Sequence, residues 1–294
     1  MSEPTKLDII RKKIESIGGL PTLPRVASEI IARVSDPSSS MKDISKIIHQ
    51  DPSLAAKILK VANSAFYGLR QEVTTLQLAM VVLGLKKIMN LVASISVFSV
   101  FPTRPDGRSV DRPRFWLHSA GTGAIARSIS QRMELDLDGE EFVAGLLHDI
   151  GKIVMDQYFH DEYLEILGRI EKGESGLSAE EYVLGATHSE VGDWIARHWK
   201  LPDQLVSSIR YHHDPGQAGE NRVLAAIAGT ANLLAAKKGI GFYGEKPPSD
   251  FRKSNEWYIL EQTAPALKKI SGSEILDTCD SEITAAREFL QITM

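Results

Sequence analysis

Apolar positions recur at three- and four-residue spacing along most of the chain, and the strict alternation of a half-buried strand is nearly absent. Ser40-Met-Lys-Asp43 has the form of a capping box, and Ile44, Ile47 and Ile48 follow at helical spacing, so a short helix is expected there. Asp51-Pro52 supplies an N-cap and a proline at the first helical position; Leu54, Ile58, Val61, Ala62 and Ala65 form the stripe of the next helix. Asn63-Ser64 falls inside that stripe and is expected to make a polar helix–helix contact, since both are poor helix formers. Thr75 caps a helix that Gly84 stops, and Leu85 begins another. The segment Leu76 to Phe101 therefore reads as two buried helices, because Gly84, Lys86, Lys87 and Asn90 cut it into pieces too short to span a bilayer.

Pro-Ser-Ser-Ser at 37–40 reads as a loop, and residues 102–113, with three prolines, a glycine and five charges, as the clearest boundary in the chain. Beyond it, Phe115 to Met133 is an amphipathic pattern carrying His118. Asp138-Gly-Glu-Glu141 looks like another capping box, opening a helix with Phe142, Val143, Leu146 and Leu147 on its buried face and His148-Asp149 at its end. Thr187-His-Ser-Glu190 is a third box and puts His188 in a first turn. Leu201-Pro202 opens a helix that ends at His212-His213 before Asp214-Pro215, and the Ala- and Gly-rich run Arg222 to Lys238 is suited to close packing. One or two further helices are expected after the turn-rich residues 239–248. The pattern predicts an all-α protein: a small helical N-terminal unit over 1–110, a multi-helix core over 111–238 and a helical extension over 239–294.

With 294 residues and 43% hydrophobic content the chain can bury a full core without staples. Its one cysteine, Cys279, rules out an intramolecular disulfide and a cysteine-rich zinc site; with no apolar leader at the N-terminus, the cytoplasm is the expected compartment. The net charge of −4, with scattered Lys and Arg, leaves no nucleic-acid footprint, and no membrane association is expected.

Candidate chemistry gathers in the middle region. His118, His148, Asp149, His188, His212 and His213 all fall at or near ends of expected helices. Imidazole and carboxylate suit Fe, Mn, Ni or Zn, and one carboxylate can bridge two ions, a role that fits Asp149. The bland alternative is that Asp149 accepts backbone hydrogen bonds while His148 fills a polar gap in the core. Lys152 is expected as an exposed residue serving a helix dipole, and His49, His160 and His198 as surface or packing residues.

The order His118, then His148-Asp149-Ile-Gly-Lys152, then His188, then His212-His213 resembles the HD superfamily of metal-dependent phosphohydrolases. The resemblance implies that all six residues occupy metal-ligand positions for one or two divalent ions. Two departures stand out. Where that family has an aspartate after the paired histidines, this chain has Asn232 in Ala231-Asn-Leu-Leu-Ala235, and the Gly-Tyr-Pro of the cyclic-dinucleotide phosphodiesterases is absent. Leu20-Pro-Thr-Leu-Pro24, Ile48-His-Gln-Asp-Pro-Ser-Leu54, Ala62-Asn-Ser-Ala-Phe-Tyr-Gly68 and Ala79-Met-Val-Val-Leu-Gly84 together resemble the HDOD family of bacterial signalling proteins. That resemblance implies an HD-like core and a non-catalytic regulatory module. It would act on a signalling protein partner, with a residual pocket for a metal or a nucleotide-like ligand. The alternative is a metal-dependent phosphohydrolase acting on a nucleotide or cyclic dinucleotide; a histidine-lined sensing iron site lies between the two.

Overall fold

A computed structural model describes residues 10, 12, 19–34, 39–101, 110–244 and 247–294. The extreme N-terminus, residues 37–38 of the expected loop and residues 102–109 of the expected boundary lie outside the described residues. The described chain is all-α, without a strand.

The N-terminal unit comprises α1 (Arg25–Val34), α2 (Met41–Ile48), α3 (Pro52–Ala62), α4 (Leu76–Leu83) and α5 (Leu85–Val97). Its caps are those expected: Ser40, Asp51 and Thr75 accept from the amides of Asp43, Leu54 and Leu78. Asn63 differs. It lies just past α3, where its Nδ2 donates to the Val73 carbonyl at 2.8 Å and its Oδ1 accepts from the Val73 amide at 2.7 Å, pinning the α3–α4 connection. The expectation of two buried helices also needs correction. α4 and α5 meet at 115° across Gly84, whose φ of 90° no β-carbon-bearing residue adopts readily. α5 is buried from Ile88 to Val97, but α4 turns only Leu76, Ala79 and Met80 inward and leaves Leu78, Val81 and Val82 exposed. Gln77 is the helix's one polar residue, and from Leu78 to Leu83 no polar position marks the outer face. No single helix among the described residues is long and apolar enough to cross a membrane.

The central region runs through α6 (Arg112–Arg132), α7 (Glu140–Leu147), α8 (Ile150–Tyr158), α9 (His160–Glu171), α10 (Gly176–Val183), α11 (His188–His198), α12 (Asp203–Tyr211) and α13 (Arg222–Lys237). α6 is the axis, packed by α7, α13 and the C-terminal helix. Glycines set the α6–α7 spacing: a β-carbon on Gly145 would stand 2.6 Å from the Gly123 Cα. The expected box at Asp138 does not form. Gly139, with φ of 84°, precedes α7, and the Asp138 carbonyl accepts from Asn90 Nδ2 at 2.9 Å.

The C-terminal residues add α14 (Asn255–Thr263) and α15 (Gly272–Thr293). α15 lies along α6 and reaches α3. Its Phe289 is fully buried, 5.5 Å from the Phe66 ring, 5.0 Å from Phe142 and 6.1 Å from Phe98. One aromatic cluster thus joins the N-terminal unit, the central helices and the C-terminal helix.

At the start of α6, Arg112 is buried and donates to Asp156 Oδ2 at 2.7 Å, while His160 Nδ1 lies 2.9 Å from Asp156 Oδ1. Removing the guanidinium would leave a fully buried carboxylate with the His160 imidazole and a long hydrogen bond from the Val110 amide but no cation on Oδ2, so Arg112→Ala should lose about 3 kcal/mol in urea denaturation. A loss under about 1 kcal/mol would mean that water or a side-chain shift replaces the pair.

Candidate metal centre

The six candidate residues arrive on different helices and converge. His118 sits in the second turn of α6, His148 caps the C-terminus of α7, and Asp149 is the hinge before α8. The glycine that follows has a geometric reason: a β-carbon on Gly151 would collide with the His188 carbonyl oxygen, so α8 and α11 cross nearly in backbone contact. That crossing delivers His188, the first residue of α11, to Asp149. His212 and His213 follow the last turn of α12.

Asp149 stands between two groups of imidazoles. On one side its Oδ2 lies 3.4 Å from His118 Nε2 and 3.4 Å from His148 Nε2, which are 3.3 Å from each other. On the other its Oδ1 lies 3.1 Å from His188 Nε2 and 3.8 Å from His212 Nε2; His188 Nε2 is 3.4 Å from His212 Nε2 and 3.1 Å from His213 Nε2. Within each of the groups His118/His148/Asp149 and His188/His212/His213, the ligand atoms lie within 4.8 Å of one another. All are buried except His213, at the rim.

Outer partners orient the rings. His148 Nδ1 donates to the Gly145 carbonyl at 2.7 Å, and His212 Nδ1 to the Ile209 carbonyl at 2.9 Å. His188 Nδ1 meets both oxygens of Glu180, at 2.9 and 2.8 Å, and Glu180 Oε2 also accepts the His188 backbone amide at 2.8 Å. With Nδ1 carrying the proton, Nε2 of His148 and of His212 presents a lone pair to the centre, the tautomer a metal ligand needs, and His188 would do so on giving up its Nε2 proton. Glu180 is the functional residue that sequence reasoning missed. Nothing in Ala179-Glu-Glu-Tyr182 distinguishes it from an ordinary surface carboxylate.

Electrostatics sharpen the picture. Burial works against ionisation of Asp149, yet His148, Lys152 and His188 hold its carboxyl well below the usual carboxylate range. Burial likewise opposes charge on His188, but Glu180 and Asp149 outweigh it and raise that imidazole to about 9. His212 is held well below its ordinary value by burial and by its histidine neighbours. Lys152 is not the exposed residue expected: it is buried and its Nζ lies 2.5 Å from Asp149 Oδ2.

The residues fit a divalent ion. Asn232 Oδ1 is buried without a hydrogen-bond partner, and Asn232 lines a cavity with Lys152, Glu180, His188 and His213. That cavity holds about 210 Å³. It reaches the second group of histidines, while Phe242 stacks over His118 at 6.4 Å.

The HDOD domain family matches residues 20–215. The chain belongs to the HDOD family. An HDOD domain protein of unknown function from Geobacter sulfurreducens superposes on this HDOD chain with a TM-score of 0.78 at 24% identity, covering 98% of each chain. A Shewanella amazonensis SB2B protein named "Putative phosphohydrolase" does so at 0.73 and 25%, over 96% of this chain and 97% of its own. A Marinobacter aquaeolei VT8 protein named "Putative signal transduction protein" gives 0.69 and 22%, over 98% of this chain and 65% of its own. The first and third likenesses show the all-α HDOD fold alone. The chain spans less than half the length of the curated relatives it matches.

Two outcomes follow. Glu180→Gln should weaken binding of Zn(II) or Ni(II) by roughly 10- to 100-fold in calorimetric titration while leaving the fold intact, because it loosens the His188 ring; an unchanged affinity would remove Glu180 from the site. In the metal-free protein the His188 shift is upward, so its stabilising contribution is fully present below the unfolded value of 6.5 and is lost as pH rises through about 9. Wild type should therefore lose more thermal stability than His188→Gln over that window, and parallel melting curves would contradict the assignment.

Proposed function

We propose that this HDOD protein is a non-catalytic regulatory module of signal transduction that acts on a protein partner, with the histidine cluster as a metal pocket retained for structure or sensing. The observation that carries this reading is the burial of Lys152 against the bridging carboxylate. Two divalent ions would meet one ligand carboxylate, Asp149, already neutralised by an ammonium 2.5 Å away, with neutral Asn232 on the cavity wall. A single ion is better matched. His188, His212, His213 and Asp149 Oδ1 would hold it, with Glu180 fixing the first of these rings. Bound there, it would supply Lewis acidity. The cavity above it, at about 210 Å³, is below the roughly 300–1,000 Å³ of ordinary small-molecule pockets and offers a nucleotide little room. Exposed Leu78, Val81 and Val82 on α4 support an interaction role.

One observation favours the phosphohydrolase alternative: the two groups of histidines share Asp149 in a bridging position. The readings separate in one assay. Metal-loaded wild type and Asn232→Asp should both lack turnover on 4-nitrophenyl phosphate, nucleotides and cyclic dinucleotides, while wild type keeps about one bound ion by mass spectrometry. Hydrolysis that rises in Asn232→Asp and disappears in His148→Ala would replace the regulatory reading by the enzymatic one.

A further inference from the structure

Residues 239–244, Gly-Ile-Gly-Phe-Tyr-Gly, follow α13 and cross over the histidine centre. Phe242 is buried, and much of what its ring covers is polar. It stacks on His118 at 6.4 Å with 20° between the planes, Lys152 Nζ lies 5.9 Å from its centroid, and Phe115 meets it edge-on at 5.2 Å. An apolar ring in that place excludes water from the imidazole and the ammonium that flank the fully buried Asp149 carboxylate. Tyr243 and Gly244 then form part of the wall of the cavity that reaches His188 and His213. The segment therefore bounds the centre on both sides of Asp149.

Three of these six residues are glycines. Gly239 and Gly244, at the two ends, have φ of 77° and 89°, in the left-handed region that glycine enters without steric cost. Gly244 passes so close to α10 that a β-carbon on it would stand 3.0 Å from the Cα of Gly176, the first residue of that helix. Between these ends the segment is latched from outside. The exposed Arg114 of α6 donates from Nη2 to the Gly241 carbonyl at 3.1 Å and sets its guanidinium 5.3 Å from the Tyr243 centroid. α6 carries His118 and α10 carries Glu180, so the segment is seated on two helices that build the site. A surface hydrogen bond and one ring–guanidinium contact are weak enough to release locally without unfolding the helices beneath.

We propose that residues 239–244 are a hinged strap that gates the histidine centre, with Phe242 as the plug over His118 and Arg114 as the latch. Lifting the strap about its end glycines exposes the His118 side of Asp149 and widens the cavity beside His188 and His213, which gives an ion its route to and from the centre. The use of the strap for an ion rests on the reading of the cluster as a metal pocket. The gating itself does not.

The test is modification of histidines by diethyl pyrocarbonate in the metal-free full chain, read residue by residue by peptide mass spectrometry. In wild type, buried His118 should react far more slowly than the exposed His49 and His198. Arg114→Ala should speed modification of His118 by roughly fivefold or more, the factor that one lost hydrogen bond is worth. Phe242→Ala, which removes the plug, should speed it further, and His49 and His198 should keep their wild-type rates in both variants. No bound ion is needed, so a chain that takes up no metal would overturn the metal-pocket reading and leave the gate to be judged by these rates. His118 reacting at the wild-type rate in either folded variant overturns the proposal, as does wild-type His118 reacting as fast as His49. A rise shared by His160, which is buried against Asp156, reports general loosening and overturns it too.

Discussion

Asp149 is a carboxylate with no exposure to water, held at the crossing of helices that bring five imidazoles and an ammonium around it. Left alone, an ion so placed would suffer a desolvation penalty of several kcal/mol. It is tolerated because Lys152 and the imidazolium of His188 supply opposite charge at 2.5 and 3.1 Å. Several features of the central region serve that arrangement. The α7–α8 break puts the carboxylate at a hinge, Gly151 lets α11 approach in backbone contact, and the Gly145 and Ile209 carbonyls turn His148 and His212 toward the centre.

The same arrangement limits its chemistry. A carboxylate that bridges two groups of lone pairs is the core of a two-ion site, but here an ammonium already satisfies much of its charge. Asn232 adds an oxygen to the wall without adding charge. The pocket keeps the directional part of metal binding, oriented nitrogens, more fully than its electrostatic part, surplus negative charge. This balance is the basis of the proposed reading as a pocket that holds one ion rather than a two-ion hydrolase.

Around this centre the molecule is knitted across its length. Phe289 near the C-terminus packs on Phe66, Phe98 and Phe142, and Asn90 of α5 reaches the Asp138 carbonyl before α7. The N-terminal unit is thus coupled to the helix that positions His148.

Helical periodicity and capping chemistry are local properties, and they made the all-α class, the caps at Ser40, Asp51, Thr75 and Thr187, and the order of the histidine-bearing segments legible in the sequence. The six candidate residues were legible too, because their types and spacing form a pattern independent of packing. What stayed hidden depends on distant parts of the chain. Glu180 looks like any surface carboxylate until α10 is laid beside His188; Lys152 looks solvent-bound until its helix is buried against Asp149. The outward face of α4 is invisible where Leu78 to Leu83 run without a polar residue, and Asn63 reads as mid-helix until its amide is seen pinning Val73. Sequence alone determined which elements form and which ligand types the chain carries, since both rest on neighbours a few residues apart. Burial, charge pairing and the division of the histidines about Asp149 were decided only by tertiary structure, because a side chain's dielectric surroundings and partners come from segments far away in the chain.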